Sequence, residues 1–296
     1  MNTPVPAPAP VPASASASAP ASATSSAAPA CARPAVPAGG PVPLAPRAAL
    51  LPALGAVYRA QLSRARVARI PLLFVATFQS LGIMVMMRGV VGTGASDTEA
   101  ARDVVAGSSV LVVAFVALNL LAQYFGRLRA TGGLDHYATL PVPAASVVLG
   151  TAAAYASFTV PGTLLTAAVG CALFQLSWVH LWVLALVVPL AGAALAGLGA
   201  ACGLLANRQE IATLLGQLGM SAALLLGVLP SSRMPAPIQW LRDLLPSTYG
   251  VEALARSFAA RPDWALVGAD LAVCAVVGLL SLTLATWAYR RAATHA

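Results

Sequence analysis

The chain alternates long apolar blocks with short polar breaks, and the length of the blocks decides its fold class. Apolar runs occupy residues 70–88, 104–125, 144–171, 179–206, 210–230 and 265–289. Each reaches the ~17–25 residues that a helix needs to cross the ~30 Å hydrocarbon core of a bilayer. The pattern therefore predicts an all-α integral membrane fold with six transmembrane helices. The third and fourth runs are almost continuous, and the break between them is placed near Gln175, Ser177 and Trp178.

Ahead of the first run the pattern changes. Leu51, Leu54, Val57, Tyr58, Leu62 and Ala65 fall at helical spacing between Leu50 and Arg69, with Arg59, Ser63 and Arg66 on the other side. This is the signature of an amphipathic helix lying in the membrane interface. Arg64 and Arg69 add charge that favours the anionic inner leaflet, and Pro71 sets the helix apart from the first span.

Between the fifth and sixth runs, the segment from Pro230 to Trp264 is too apolar for a plain loop. Ile238, Trp240, Leu241, Leu244 and Leu245, then Tyr249, Leu254 and Phe258, suit two short amphipathic helices that dip into the outer leaflet. Pro246 separates them, and Ser247 or Thr248 is the expected N-cap of the second. At the other extreme, residues 1–46 are nearly all Pro, Ala, Ser and Val, and cannot bury enough apolar surface to offset the entropy of ordering. They are expected to form a disordered cytoplasmic tail. No basic stretch leads into an apolar one there, so the first span is expected to act as the insertion signal.

Composition rules out a soluble surface: 59% of residues are hydrophobic and 9% charged, against about a quarter charged in an ordinary soluble domain. The net charge of +8 comes from arginines set beside the spans, without a nucleic-acid-binding motif, so it points to membrane orientation and not to nucleic acid. Arg59, Arg64, Arg66 and Arg69 precede the first span, Arg127 and Arg129 follow the second, Arg208 the fourth, and Arg290 and Arg291 the sixth. All share one side, while Asp97, Glu99 and Asp103 lie on the other with Arg88 and Arg102. Both termini are expected in the cytoplasm of a multi-pass protein of the cell membrane.

None of the 17 basic residues is a lysine. A phosphate-gripping loop of the form G-x-x-x-x-G-K-[ST] is thus excluded, and ATP-driven work requires a separate ATPase. Cys31, Cys171, Cys202 and Cys274 have no C-x-x-C spacing, and His136, His180 and His295 are scattered, so no metal site is expected. No cluster of acids and histidines suggests an intramembrane enzyme, and no catalytic residue is assigned. An ion-coupled carrier needs titratable groups within the spans. Asp270 is the exception there, five residues beyond Ala265 and so ~7–8 Å from that end. Asn119 and Gln123 read as interhelical hydrogen-bonding residues. Pro161 with Gly162, and Pro189, are expected to bend their helices. Gly192, Gly197, Gly199 and Gly203 give the fourth span a close-packing face.

Three features resemble the ABC-2 type transporter permeases, and the likeness runs over most of residues 50–290. The amphipathic helix before the first span is similar to that family's elbow helix. The stretch Thr131 to Val142 is similar to the pattern E-x-G-T-L-E-x-L-L-x-x-P-V, with Gly132, Leu134, Asp135, Pro141 and Val142 matching. Ala130 and Gly133 depart from it, replacing glutamate and threonine, and Asp135 offers a charge nearby. The stretch Leu244 to Leu254 resembles N-P-L-T-Y-x-x-E-A-L, carrying Pro246, Tyr249 and Glu252 after a short outer re-entrant hairpin.

The resemblance implies a transmembrane domain over residues 47–296, paired with a second permease copy or a related permease. It also implies cytoplasmic ABC ATPase subunits that bind the ATP and Mg, with no cofactor in this chain. Arg127, Arg129, Gly132, Asp135 and Pro141 become the candidates for ATPase docking, because a short, partly charged loop tied to two spans can convert a push into helix tilt. Spans without charged binding residues suit export of a lipophilic, drug- or antibiotic-like molecule. Polysaccharide or lipid-linked cargo, a carrier outside the family, and an anchoring subunit are the alternatives.

Overall fold

The computed structural model describes residues 49–68, 70–91, 98–228 and 245–294. The expected tail, Cys31, His295 and the first arm of the outer hairpin lie outside these residues. The described regular elements are all helical: α1 (Leu50–Ala68), α2 (Ile70–Val91), α3 (Thr98–Ala114), α4 (Leu121–Ala130), α5 (Gly133–Thr139), α6 (Ala144–Phe174), α7 (Leu184–Leu205), α8 (Gln209–Val228), α9 (Pro246–Ser257) and α10 (Trp264–Thr294). A π-helical segment, Phe115–Leu120, joins α3 to α4, and a 3₁₀ turn, Leu181–Val183, leads into α7.

Five helical runs are long and apolar enough to cross a membrane: Glu99–Ala130, Ala144–Phe174, Leu181–Leu205, Gln209–Gly227 and Trp264–Ala293. The run expected to be the first span, 70–88, is also helical, but its apolar stretch Leu73–Gly89 is shorter than the other five. The break between the third and fourth runs falls where polar residues interrupt the apolar sequence. Helix α6 ends at Phe174, and Gln175 turns the chain through the left-handed region at φ 54° and ψ 37°. Helices α6 and α7 continue through Pro161 and Pro189 without interruption.

Helix α7 is the hub of the bundle. It packs against α3, α4, α6, α8, α9 and α10, most extensively against α10. Its glycines make this possible. A Cβ at Gly197 would overlap Ser281 of α10, one at Gly199 the carbonyls of Ala117 and Leu118, and one at Gly203 would come within 2.5 Å of the Ala122 carbonyl. Small residues thus let backbone meet backbone, where van der Waals contact and Cα–H to carbonyl contacts substitute for a hydrophobic driving force that lipid does not supply.

The π-helical segment sits against this glycine edge. A π turn widens the helix and re-aims carbonyls that would otherwise stay within it, and those of Ala117 and Leu118 point at Gly199 of α7. Asn119 is buried in the segment, but it does not bond across helices as expected. Its Oδ1 accepts from Gln123 Nε2 at 2.7 Å one turn along the same chain. Amides four residues apart lie on one helix face and can pair locally in this way.

Helix α1 lies along α6, with Leu54 and Val57 against Gly150. Leu51, on the face expected in the membrane interface, is 78% exposed, whereas Gln61 is 1% exposed. Gln61 Nε2 donates to the Tyr124 hydroxyl of α4 at 2.6 Å, while its Oε1 is buried without a hydrogen-bond partner.

The glycine face of α7 should be intolerant of a single methyl. Gly199→Ala is expected to destabilise the detergent-solubilised protein by about 1–3 kcal/mol through overpacking. Gly268→Ala, where nothing lies within 4 Å, should leave the thermal midpoint unchanged or slightly raised. Equal losses from both would show that the α7 contacts do not hold the bundle.

Candidate functional site

Functional candidates gather at the two ends of the bundle. At one end, α4 runs into the loop that carries the first motif. The Arg127 carbonyl closes the last turn, accepting the Thr131 N–H and the Thr131 Oγ1 hydroxyl, each at 2.9 Å. Gly132 then takes the left-handed conformation at φ 69° and ψ 11°. A side chain there would be strained, which gives the motif glycine its physical reason.

Gly133–Thr139 form the short helix α5, pinned by Leu134, which is 1% exposed within the core. Tyr137 packs partly buried against that core, and α5 rests on α4 and α10. The exit is equally tight. Leu140 N–H donates to the Tyr137 carbonyl at 3.3 Å, Val142 N–H to that of Leu140 at 2.7 Å, and the Ser146 hydroxyl to that of Pro143 at 2.6 Å. Pro141 is exposed at the bend, and α6 starts at Ala144. Asp135 lies on the α5 backbone.

The five docking candidates do not share one environment. Arg127 and Pro141 are exposed, and Gly132 shapes the turn. Arg129 instead turns towards α7, its Nη1 donating to the carbonyls of Leu204 at 2.5 Å and Ala206 at 3.1 Å. These carbonyls lie at the C-terminus of α7, where acceptors lack helical partners and a cation meets the negative end of the helix dipole. Arg129 is therefore a cap on the hub helix.

Sequence reasoning missed two residues of this end. Gln61 and Tyr124 tie α1 to α4, and the Tyr58 hydroxyl lies 3.0 Å from the Ser157 hydroxyl of α6. No signal in the sequence singles out Gln61, which stands between Arg59 and Ser63.

At the opposite end, α9 carries the second motif. Pro246 occupies its first turn, where a missing N–H costs nothing. The N-cap is Leu245, not Ser247 or Thr248, which fall inside the helix. The Thr248 hydroxyl donates back to the Leu245 carbonyl at 2.6 Å. Helix α9 is sunk among α3, α7, α8 and α10, with Pro246 buried and Tyr249 half-buried.

Glu252 is half-buried and belongs to an ionic triad. Arg256 Nη2 donates to Glu252 Oε2 at 2.9 Å, and Arg256 Nη1 donates to Asp270 Oδ2 of α10. Burial opposes the charge on Arg256, but Asp270 and Glu252 outweigh it and hold the guanidinium above its usual pKa. A cavity of about 320 Å³ opens beside the triad, lined by Glu99, Arg102, Asp103 and Arg261 among others. Asp270, the one acid expected within a span, is thus 7% exposed and neutralised by a guanidinium.

Among the described residues, no group of three or more His, Cys, Asp or Glu side chains could hold a metal ion. Residues 54–258 match the family model described as ABC-2 type transporter. No curated protein matches the chain.

The two arginines at the end of α4 should separate cleanly. Arg129→Met removes charge-assisted bonds to otherwise unpartnered carbonyls and is expected to cost about 1.5–3 kcal/mol. Arg127→Met, an exposed change, should stay within about 0.5 kcal/mol of the parent. Thermal unfolding of the two purified variants measures both, and an Arg129→Met protein as stable as the parent would refute the capping role.

Proposed function

Because this chain belongs to the ABC-2 type transporter family, we propose that it exports a lipophilic, drug- or antibiotic-like molecule, driven by ATP hydrolysed on a separate cytoplasmic ABC ATPase. Family membership makes the chain a multi-pass membrane permease of an ABC transporter. The rest of the reading concerns how this particular chain performs that task.

In this reading α2 is the first of six spans, its 22 residues giving ~33 Å of helix, enough for the hydrocarbon core. Helix α1 is the elbow on the cytoplasmic surface, and α9 is the second arm of an outer re-entrant hairpin. Both termini face the cytoplasm, following the arginines. Six spans make half a pathway, which a second copy or a related permease completes.

The observation that carries the reading is the rigid mounting of α5. Leu134 anchors it in the core, and hydrogen bonds close the backbone on both sides, while Arg127 and Pro141 remain exposed beside it. A helix held this way transmits an applied force instead of absorbing it. A push on α5 reaches the hub through the Arg129 cap on α7 and reaches α1 through Gln61 and Tyr124.

Co-purification with an ATPase that carries the phosphate-gripping lysine, followed by ATP turnover in liposomes, tests the proposal. Lipophilic compounds should raise turnover, while soluble polysaccharide should not. Arg127→Ala combined with Asp135→Asn should reduce ATPase retention several-fold without lowering the thermal midpoint of the permease. Full retention and full stimulation in that variant would remove the docking assignment.

A further inference from the structure

A second cavity, about 780 Å³ in volume, is a groove between α6 and α7. Its origin is in the sequence: Ala152, Ala153 and Ala156 on α6 face Ala185, Pro189 and Ala193 on α7, and none of these side chains can fill the space between two helices. The space opens along exposed residues of both helices, so it is a surface groove that an apolar occupant from outside the fold can fill.

Its chemistry narrows the occupant. Ser157 and Trp182 hold the only polar side-chain atoms of the lining. The Ser157 hydroxyl is already engaged with the Ala153 carbonyl at 2.9 Å and lies beside Tyr58. Beyond Ser157 and Trp182 the lining offers water no side-chain partner. An ionic or strongly hydrogen-bonding ligand would find no partner.

Its position narrows the occupant further. Leu54 of α1, the amphipathic helix, lines it near the start of α6, and Leu181 and Trp182 line it at the start of α7. Trp182 stacks on Trp264 with ring centroids 5.6 Å apart, and His180 stands edge-on to Trp264 at 5.4 Å. Clustered tryptophans are typical of the membrane–water boundary. The α6 wall from Leu149 to Leu164 is ~22 Å long at 1.5 Å per residue, most of the ~30 Å hydrocarbon thickness. The groove therefore runs along the membrane normal at hydrocarbon depth, and Ala153, Val160, Leu164, Ala185 and Pro189 are exposed along it.

We propose that this groove is a binding site for one acyl chain of a bilayer phospholipid, held as a wedge between α6 and α7. The chain lies along the alanine floor, with Trp182 at one end and the α1 surface at the other. Its binding is independent of what the permease carries, and removal of ATP or an ATPase leaves it unchanged.

The test uses the purified full chain in phosphatidylethanolamine and phosphatidylglycerol vesicles. They contain a phosphatidylcholine whose acyl chain ends in a photoactivatable diazirine. After irradiation, adducts are mapped by peptide mass spectrometry. The α6 and α7 walls should be labelled several-fold more than Leu279 and Leu280, which are exposed on α10 away from the groove. Ala153→Phe with Ala185→Phe fills the space from exposed positions and should abolish the excess while labelling at Leu279 and Leu280 stays unchanged.

Equal labelling of groove and α10 face in the unmodified protein would overturn the proposal, and that comparison needs no variant to fold. An excess that survives the double substitution would also overturn it. So would a groove protected from the lipid in which an Ala156→Cys chain cross-links to a second copy, since the occupant would then be protein.

Discussion

The contact on which the rest of the structure depends is the meeting of bare backbone along one edge of α7. Gly197, Gly199 and Gly203 admit Ser281 of α10, the carbonyls of the π-helical segment and the Ala122 carbonyl into space that any side chain would fill. Within lipid, apolar surface gains little by leaving one apolar medium for another. Helices must instead be held by close contact and by polar groups that find partners. The six neighbours of α7 inherit their positions from it, and so do the motifs at either end.

Polar interactions are placed where they brace that core. Arg129 fixes the α4 end to the last carbonyls of α7, Gln61 and Tyr124 attach α1, and Arg256 joins α9 to α10 through Asp270. Each joins two elements, and each gives a polar group drawn inward at least one partner. The result is a bundle whose two ends are stiff and whose α6–α7 flank is loosely filled. Close glycine contacts of this kind resist continuous deformation of the helices they join.

Much of this was legible in the sequence. Of the six runs read as spans, five are helices long and apolar enough to cross a membrane, because hydrocarbon thickness imposes a length that sequence records directly. The polar residues at 175–178 marked the α6–α7 break, and the glycines marked the packing face. The motif from Thr131 to Val142 and that from Leu244 to Leu254 pointed to the family that the match over 54–258 supports.

What escaped reading depends on partners distant in sequence. Arg129 looked like one of several arginines of one side, and its partners are carbonyls 75 and 77 residues away. Gln61 belonged to neither face of the helical pattern, and its partner Tyr124 lies 63 residues away. The π-helical segment changes the register of a uniformly apolar run by one residue, which leaves no trace in hydropathy. Leu245 caps α9 although serine and threonine follow, because Pro246 had already fixed the helix start.

The central claim is that the bundle moves cargo only when a soluble ATPase pushes on it. The most direct measurement follows a lipophilic fluorescent compound across liposomes containing the purified chain, with and without its ATPase, under ATP and under imposed proton or sodium gradients. Transport that needs both the ATPase and ATP, and ignores the gradients, is the expected result. Transport by the chain alone, driven by an ion gradient, would contradict the account.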